Sequence, residues 1–133
     1  MRSQNDHLKQ AADNEQFAQS LLQIATPDSI TWAVTTLFYA AVHYGRAYLV
    51  FHAASSATTA TTITTHPGFE SAFVNRWPVP PNLDIFPNYR RLKDHSERAR
   101  YDCIAYTAKD IEDLRDNHLV PFRNAVKAAM GIP

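Results

Sequence analysis

The stretch ITWAVTTLFYAAVHYGRAYLVFHAA, residues 30 to 54, decides the fold class. Wound as a helix, it points Trp32, Val34, Leu37, Phe38, Tyr39, Val42, Tyr44, Tyr48, Leu49 and Phe51 in nearly every direction. A helix that is apolar all round must be covered on all sides. It is therefore either the central helix of a bundle or one packed against both its own domain and a second subunit, which makes a homodimer a reasonable expectation. The stretch is long enough to raise the question of a membrane span. It also carries His43, Arg46, His52 and several threonines, which hydrocarbon would penalise by a few kcal/mol. Burial in protein, with no membrane contact, is the expectation.

On the N-terminal side, Leu8, Ala11, Ala12, Phe17, Ala18, Leu21, Leu22, Ile24 and Ala25 recur at three- and four-residue steps among polar residues. This pattern predicts an amphipathic first helix. Pro27 disfavours a helical Thr26 and ends that helix, and Asp28 or Ser29 is placed to cap the next. On the C-terminal side, SSATTATTITT at 55 to 65 is rich in β-branched and hydroxyl side chains that compete with helix formation. It predicts a flexible loop over about 55–66, with a short strand around Ile63 as the other reading.

Pro67 suits a first helical turn, and Phe69, Phe73 and Trp77 follow at four-residue steps until Pro78-Val79-Pro80-Pro81 stops a short third helix. Ile85, Tyr89, Leu92, Ser96, Ala99 and Cys103 line one side of a fourth. A last helix begins at Thr107 or Asp110, carries Ile111, Leu114, Leu119, Phe122, Val126 and Met130, and ends near Gly131. Pro121 falls inside it and predicts a kink or break just before. The fold class is all-α: a four- to five-helix up-and-down bundle forming a single domain over 1–133.

Composition agrees. The chain has 133 residues, 45% of them apolar, and only three glycines, too few for a turn-rich β fold. Thirteen basic and thirteen acidic side chains cancel, so no global field draws the protein to nucleic acid or an anionic membrane, and any RNA contact must be local. A lone Cys103 and a polar segment from Met1 to Gln10 without a secretory core predict a cytoplasmic location.

Tyr39, His43 and Arg46 form a polar stripe on the most apolar helix, where unpaired groups would cost several kcal/mol. Either other helices satisfy them, or they line a polar pocket at a bundle or dimer seam, joined by Arg98, Arg100, Tyr101 and Asp102. The six histidines show no His-x-x-x-His or Glu-x-x-His pair on one helix face, and there is no phosphate loop, no nucleophile elbow and no Cys pair. No metal and no cofactor is expected.

Leu37-Phe38-Tyr39-Ala40-Ala41-Val42-His43 with Ala47 and Leu49, and then His66, Phe69, Phe73, Tyr89, Leu92, Ser96 and Ala99-Arg100-Tyr101, resemble in order and spacing the bacterial HEPN-like helical bundle proteins. The resemblance implies an up-and-down bundle that often dimerises. Its members include metal-independent ribonucleases with an Arg, four to six residues, then a His. Others are binding modules, some beside nucleotidyltransferases, in stress, defence or toxin–antitoxin settings. Arg90 and His95 in RRLKDH have the ribonuclease spacing, although Arg91, not a small polar residue, follows Arg90. Five positions on a regular helix turn the two about 140° apart, so they converge only across two subunits or an irregular helix. Otherwise they are solvated charges beside Asp94 and Glu97. Arg91 and His95, one turn apart, share a face. Arg2 and His7 also have the spacing, in a terminus expected to fray. The expected function is a non-catalytic or partner-dependent homodimer that binds protein, nucleotide or RNA in a stress or defence setting; the other reading is a metal-independent, toxin-like ribonuclease using Arg90 and His95 at a dimer interface.

Overall fold

The computed structural model describes residues 2–56, 66–76 and 85–133, and among them every regular element is helical. The helices are α1 (Gln4–Ile24), α2 (Pro27–Ser56), α3 (His66–Arg76), α4 (Phe86–Tyr101), α5 (Ala108–Leu114) and α6 (Val120–Ala129). A π-helical turn, Arg115–Leu119, joins the last two. Of the loop expected over about 55–66, both ends are helical instead, α2 running on through Ser56 and α3 starting at His66; the remainder, the strand reading at Ile63, Trp77 and the stop at Pro78 to Pro81 lie outside the described residues.

Local chemistry sets the boundaries. α1 begins earlier than its apolar pattern, because Ser3 and Asp6 form a reciprocal cap: Ser3 Oγ accepts from the Asp6 amide at 3.1 Å and Asp6 Oδ2 from the Ser3 amide at 3.0 Å. The N-terminus that was expected to fray is thereby tied down. α2 is capped by Thr26 rather than by Asp28 or Ser29. Pro27, lacking an amide hydrogen and fixed in φ, takes the first helical position. Thr26 Oγ1 then accepts from the Ser29 amide at 3.1 Å, and Ser29 Oγ from the Thr26 amide at 3.0 Å.

The anomaly expected before Pro121 is a widened turn that keeps the chain helical. Pro121 has no amide hydrogen to return to the carbonyl of Asn117, and the Val120 amide reaches back five residues to Arg115. The turn displaces one residue and reorients His118 and the residues around it.

α1 and α2, joined by two residues, run antiparallel. α2 and α4 are antiparallel as well, since Thr35 meets Ser96 (Oγ to Oγ1, 3.4 Å) while Phe38 meets Tyr89 (ring centroids 5.6 Å apart). α2 is flanked chiefly by α1 and α4, and α3, α5 and α6 complete its surroundings. The buried side chains make one continuous core with an aromatic centre of Phe38, Phe69, Phe73, Tyr89 and Phe122. Each such ring contributes roughly 1.5–3 kcal/mol on burial. The chain's own helices thus cover nearly the whole of α2, and its all-round apolarity does not require a second subunit. Among the described large apolar side chains of α2, Trp32, 58% exposed, is the exception. No helix among the described residues is long and apolar enough to cross a membrane.

A candidate phosphate-binding cleft beside α4

Arg91, His95 and Arg98 stand at steps of four and three residues, so they share one flank of α4. Opposite them lie Tyr106 from the connection, Asp110, Asp113 and Leu114 from α5, and Asn117 and His118 from the π turn. Between the two walls is an open cleft of about 370 Å³. One wall is basic, the other carries two carboxylates, and Leu114, Ile104 and Tyr106 supply apolar surface between them.

A hydrogen bond sets the proton position on His118, and His95 shares a phenol through the same ring nitrogen. His118 Nδ1 lies 2.9 Å from Asn88 Oδ1, a carbonyl that can only accept, so Nδ1 carries the hydrogen and Nε2 holds a lone pair. Tyr106 Oη lies 3.3 Å from the His95 carbonyl and 2.9 Å from His95 Nδ1. When the phenol donates to that carbonyl, Nδ1–H of His95 donates to the phenol oxygen, which again leaves Nε2 with the lone pair. Burial pushes the His95 imidazole below its usual range, Arg98 and Arg91 push the same way, and Asp94 and Asp110 oppose them. His118 is lowered first by burial and then by Arg91 and His95. Both rings are therefore neutral near pH 7, while burial raises the Tyr106 phenol and keeps it protonated.

Arg90 does not face this cleft. α4 is regular, and the exposed Arg90 guanidinium sits 5.3 Å over the Phe86 ring. It borders a neighbouring hollow of about 510 Å³ together with Arg91, Asp94 and His118. Within one chain the sequence-predicted pair Arg90 and His95 is not assembled, for the rotational reason given above. Arg91, one turn from His95, borders both hollows, and so does His118. Sequence reasoning did not select His118, because it bears no fixed spacing to His95. The one available signal was Pro121, which marks the helix that reorients it.

Within the polar stripe on α2, His43 finds its partner on α1. His43 Nδ1 lies 3.1 Å from Nδ1 of His7 on α1, with the rings stacked 5.3 Å apart, so one nitrogen donates and the other accepts. Burial brings His43 down to about 4, with His7, Arg2 and Arg46 adding to it. His7 is lowered by burial and then by Arg46 and Arg2. The Arg46 guanidinium lies 5.4 Å over Phe69, and Tyr39 is half-buried with its ring 5.5 Å from that of Phe38.

Arg100, Tyr101 and Asp102 lie at the other end of α4. With Thr35 fixed against Ser96, Arg46 is eleven residues further along α2, about 16 Å away. The seven residues that the sequence suggested as one pocket therefore fall into separate places. Arg98, Tyr101 and Asp102 border a hollow of about 450 Å³ with Asp94 and Glu97. Arg100 donates from Nε to the Ser96 carbonyl at 3.3 Å and lies 5.3 Å over the Tyr101 ring. Among the described residues, no three of His, Cys, Asp and Glu are grouped to hold a metal ion.

The chain matches no family model, and neither a curated protein nor a solved structure is significantly similar to it.

Proposed function

We propose that this protein is a helical binding module that takes a phosphate-bearing ligand, a nucleotide or a stretch of single-stranded RNA, in the cleft beside α4. The observation that carries the reading is the convergence of Arg91, His95 and Arg98 from α4 with His118 from the π turn on one open cleft. Guanidinium forks match phosphate oxygens in geometry and charge, and they keep their charge at any physiological pH. With a formal net charge of zero, attraction to a phosphate has to be local, and Arg91 and Arg98 on the α4 wall of this cleft are placed to supply it. The HEPN resemblance of α2 and α4 points the same way, toward a homodimer that serves RNA or a partner such as a nucleotidyltransferase. Trp32, the large apolar side chain that α2 leaves exposed, is where such a dimer would find surface to bury.

The test is fluorescence anisotropy with labelled single-stranded RNA in EDTA, comparing wild type with Arg91→Gln, Arg98→Gln and the double variant. Each lost contact should weaken binding and reduce the slope of log affinity against log salt by about 0.7. Equal binding by wild type and the double variant would defeat the reading. Light scattering on the same samples tests the dimer.

A second reading, metal-independent RNA cleavage, is favoured by the Nδ1 contacts of both imidazoles, Asn88 on His118 and Tyr106 on His95; with the hydrogen on Nδ1, each ring keeps a lone pair on Nε2. One Nε2 would take the proton of the ribose 2′-hydroxyl as its oxygen attacks the phosphorus. The other imidazole, protonated, would give its proton to the departing 5′-oxygen, leaving a 2′,3′-cyclic phosphate. Arg91 would balance the charge gathering on the phosphate oxygens. Cyclic-phosphate ends that are made by wild type in EDTA and lost in both His95→Gln and His118→Gln would establish it. Dependence on Arg90 as well would mean that two chains pool their residues.

A further inference from the structure

The wall opposite the basic strip is not needed to hold a phosphate. Asp110 and Asp113 stand one turn of α5 apart and both border the cleft, where their charges oppose an anion. Asp110 is engaged through Oδ2 with the Thr107 amide at 2.9 Å. Asp113 is engaged through Oδ1 with the exposed Lys109 at 3.3 Å. Each carboxylate keeps a second oxygen able to accept, and both residues border the cleft together with Leu114, Ile104 and Tyr106, the apolar surface against which a planar ring would rest. A cleft of about 370 Å³ has the size of a site for one small ligand such as a nucleotide.

We infer that the cleft selects the nucleobase as well as the phosphate: with phosphate on Arg91 and Arg98, Asp110 and Asp113 accept hydrogen bonds from an exocyclic amino group, so that cytosine is preferred to uracil. The inference rests on the phosphate-binding reading of the same cleft and adds its specificity. Cytosine presents an amino donor at position 4 where uracil presents a carbonyl oxygen. Against a carboxylate, the first forms a charge-assisted bond, and the second sets two acceptors face to face.

The experiment is calorimetric titration of the full chain with CMP, UMP and inorganic phosphate, repeated with short oligo-C and oligo-U strands. Wild type is compared with Asp110→Asn/Asp113→Asn; the Asn at 110 can still cap α5 through its carbonyl oxygen. Wild type should bind the cytosine ligand on the order of ten-fold more tightly than its uracil counterpart. The double variant should bind the two nearly equally, with affinity for the uracil ligand kept or raised as negative charge leaves the cleft. A preference seen only with strands would assign the site to RNA, and one seen only with mononucleotides to a free nucleotide; both support the inference. Equal binding of cytosine and uracil ligands by wild type, or a preference that survives in the double variant, would overturn it while leaving the phosphate site standing. Failure of every ligand to bind would remove the phosphate site and this inference together.

Discussion

Replacing Gly45 by alanine should destabilise the protein even though alanine is the better helix former. Gly45 lies in the middle of α2, where alanine would ordinarily gain about 1 kcal/mol. A Cβ placed there, however, would stand 2.4 Å from Cζ and 2.9 Å from Cε2 of Phe69. That ring has little freedom to retreat: it is 1% exposed, lies 5.9 Å from Phe73 and 5.6 Å from Tyr89, and carries the Arg46 guanidinium on one face. Overpacking of this kind costs roughly 1–3 kcal/mol, and a contact this short belongs at the upper end. The net change for Gly45→Ala is a loss of about 1–2 kcal/mol. Phe69→Leu alone should cost about 1 kcal/mol by thinning the same packing. In the double variant the added methyl group meets space in place of a ring, and the alanine recovers its helical advantage. The coupling between the two changes is then favourable by about 2 kcal/mol, well beyond the spread of independent sites. Urea denaturation of the four proteins, followed by far-ultraviolet circular dichroism, measures it. Simple additivity, or a stabilised Gly45→Ala single variant, would refute the close approach of α3 to α2 on which the argument depends.

The His7–His43 pair should make stability fall with acid. His43 is held at about 4 against an ordinary value of 6.5, so below about 6.5 the unfolded chain takes up a proton that the folded chain refuses. Stability is highest near neutrality and declines as pH drops toward about 4, and His43→Gln should flatten that part of a denaturation profile relative to wild type. Glu15 accepts from the Tyr44 phenol and, at 2.8 Å, from Arg123, tying α1 to α2 and α6. Glu15→Ala leaves both donors without that carboxylate and should cost about 2–3 kcal/mol in the same assay, with Glu15→Gln costing less. Phosphate ligands should bind more tightly as pH falls below 6.5, because an anion favours the protonated forms of His95 and His118, which the free protein disfavours. Titrations at pH 5.5 and 7.5 would show it.

The helices could be read from the sequence because apolar spacing and prolines encode them locally. The 30–54 stretch announced a covered central helix, and Phe69 and Phe73 announced the short one laid against it. What the sequence hid was pairing. Nothing in the spacing of Thr26 and Ser29 against Asp28 says which residue caps α2 until Pro27 is given the first helical position. The Tyr39, His43 and Arg46 stripe left open whether another helix or a pocket met it, because the partner of His43, His7, lies thirty-six residues away on another helix. The site was legible in half. Arg91, His95 and Arg98 share a face by their spacing alone, but His118 meets them only through a π turn, and Tyr106 only through the path of the α4–α5 connection. Arg90 drew notice for its distance from His95 along the chain, and helical rotation turns it elsewhere.

Histidine-ring NMR during titration with CMP addresses the proposed phosphate-binding cleft most directly, since four of the histidines report on two separate places in one spectrum. His95 and His118 should shift with ligand and titrate at higher pH when it is bound, while His7 and His43 stay where they were. Movement of His7 and His43 alone, or no movement of any ring at ligand concentrations in the millimolar range, would contradict the assignment of the cleft beside α4 as the binding site.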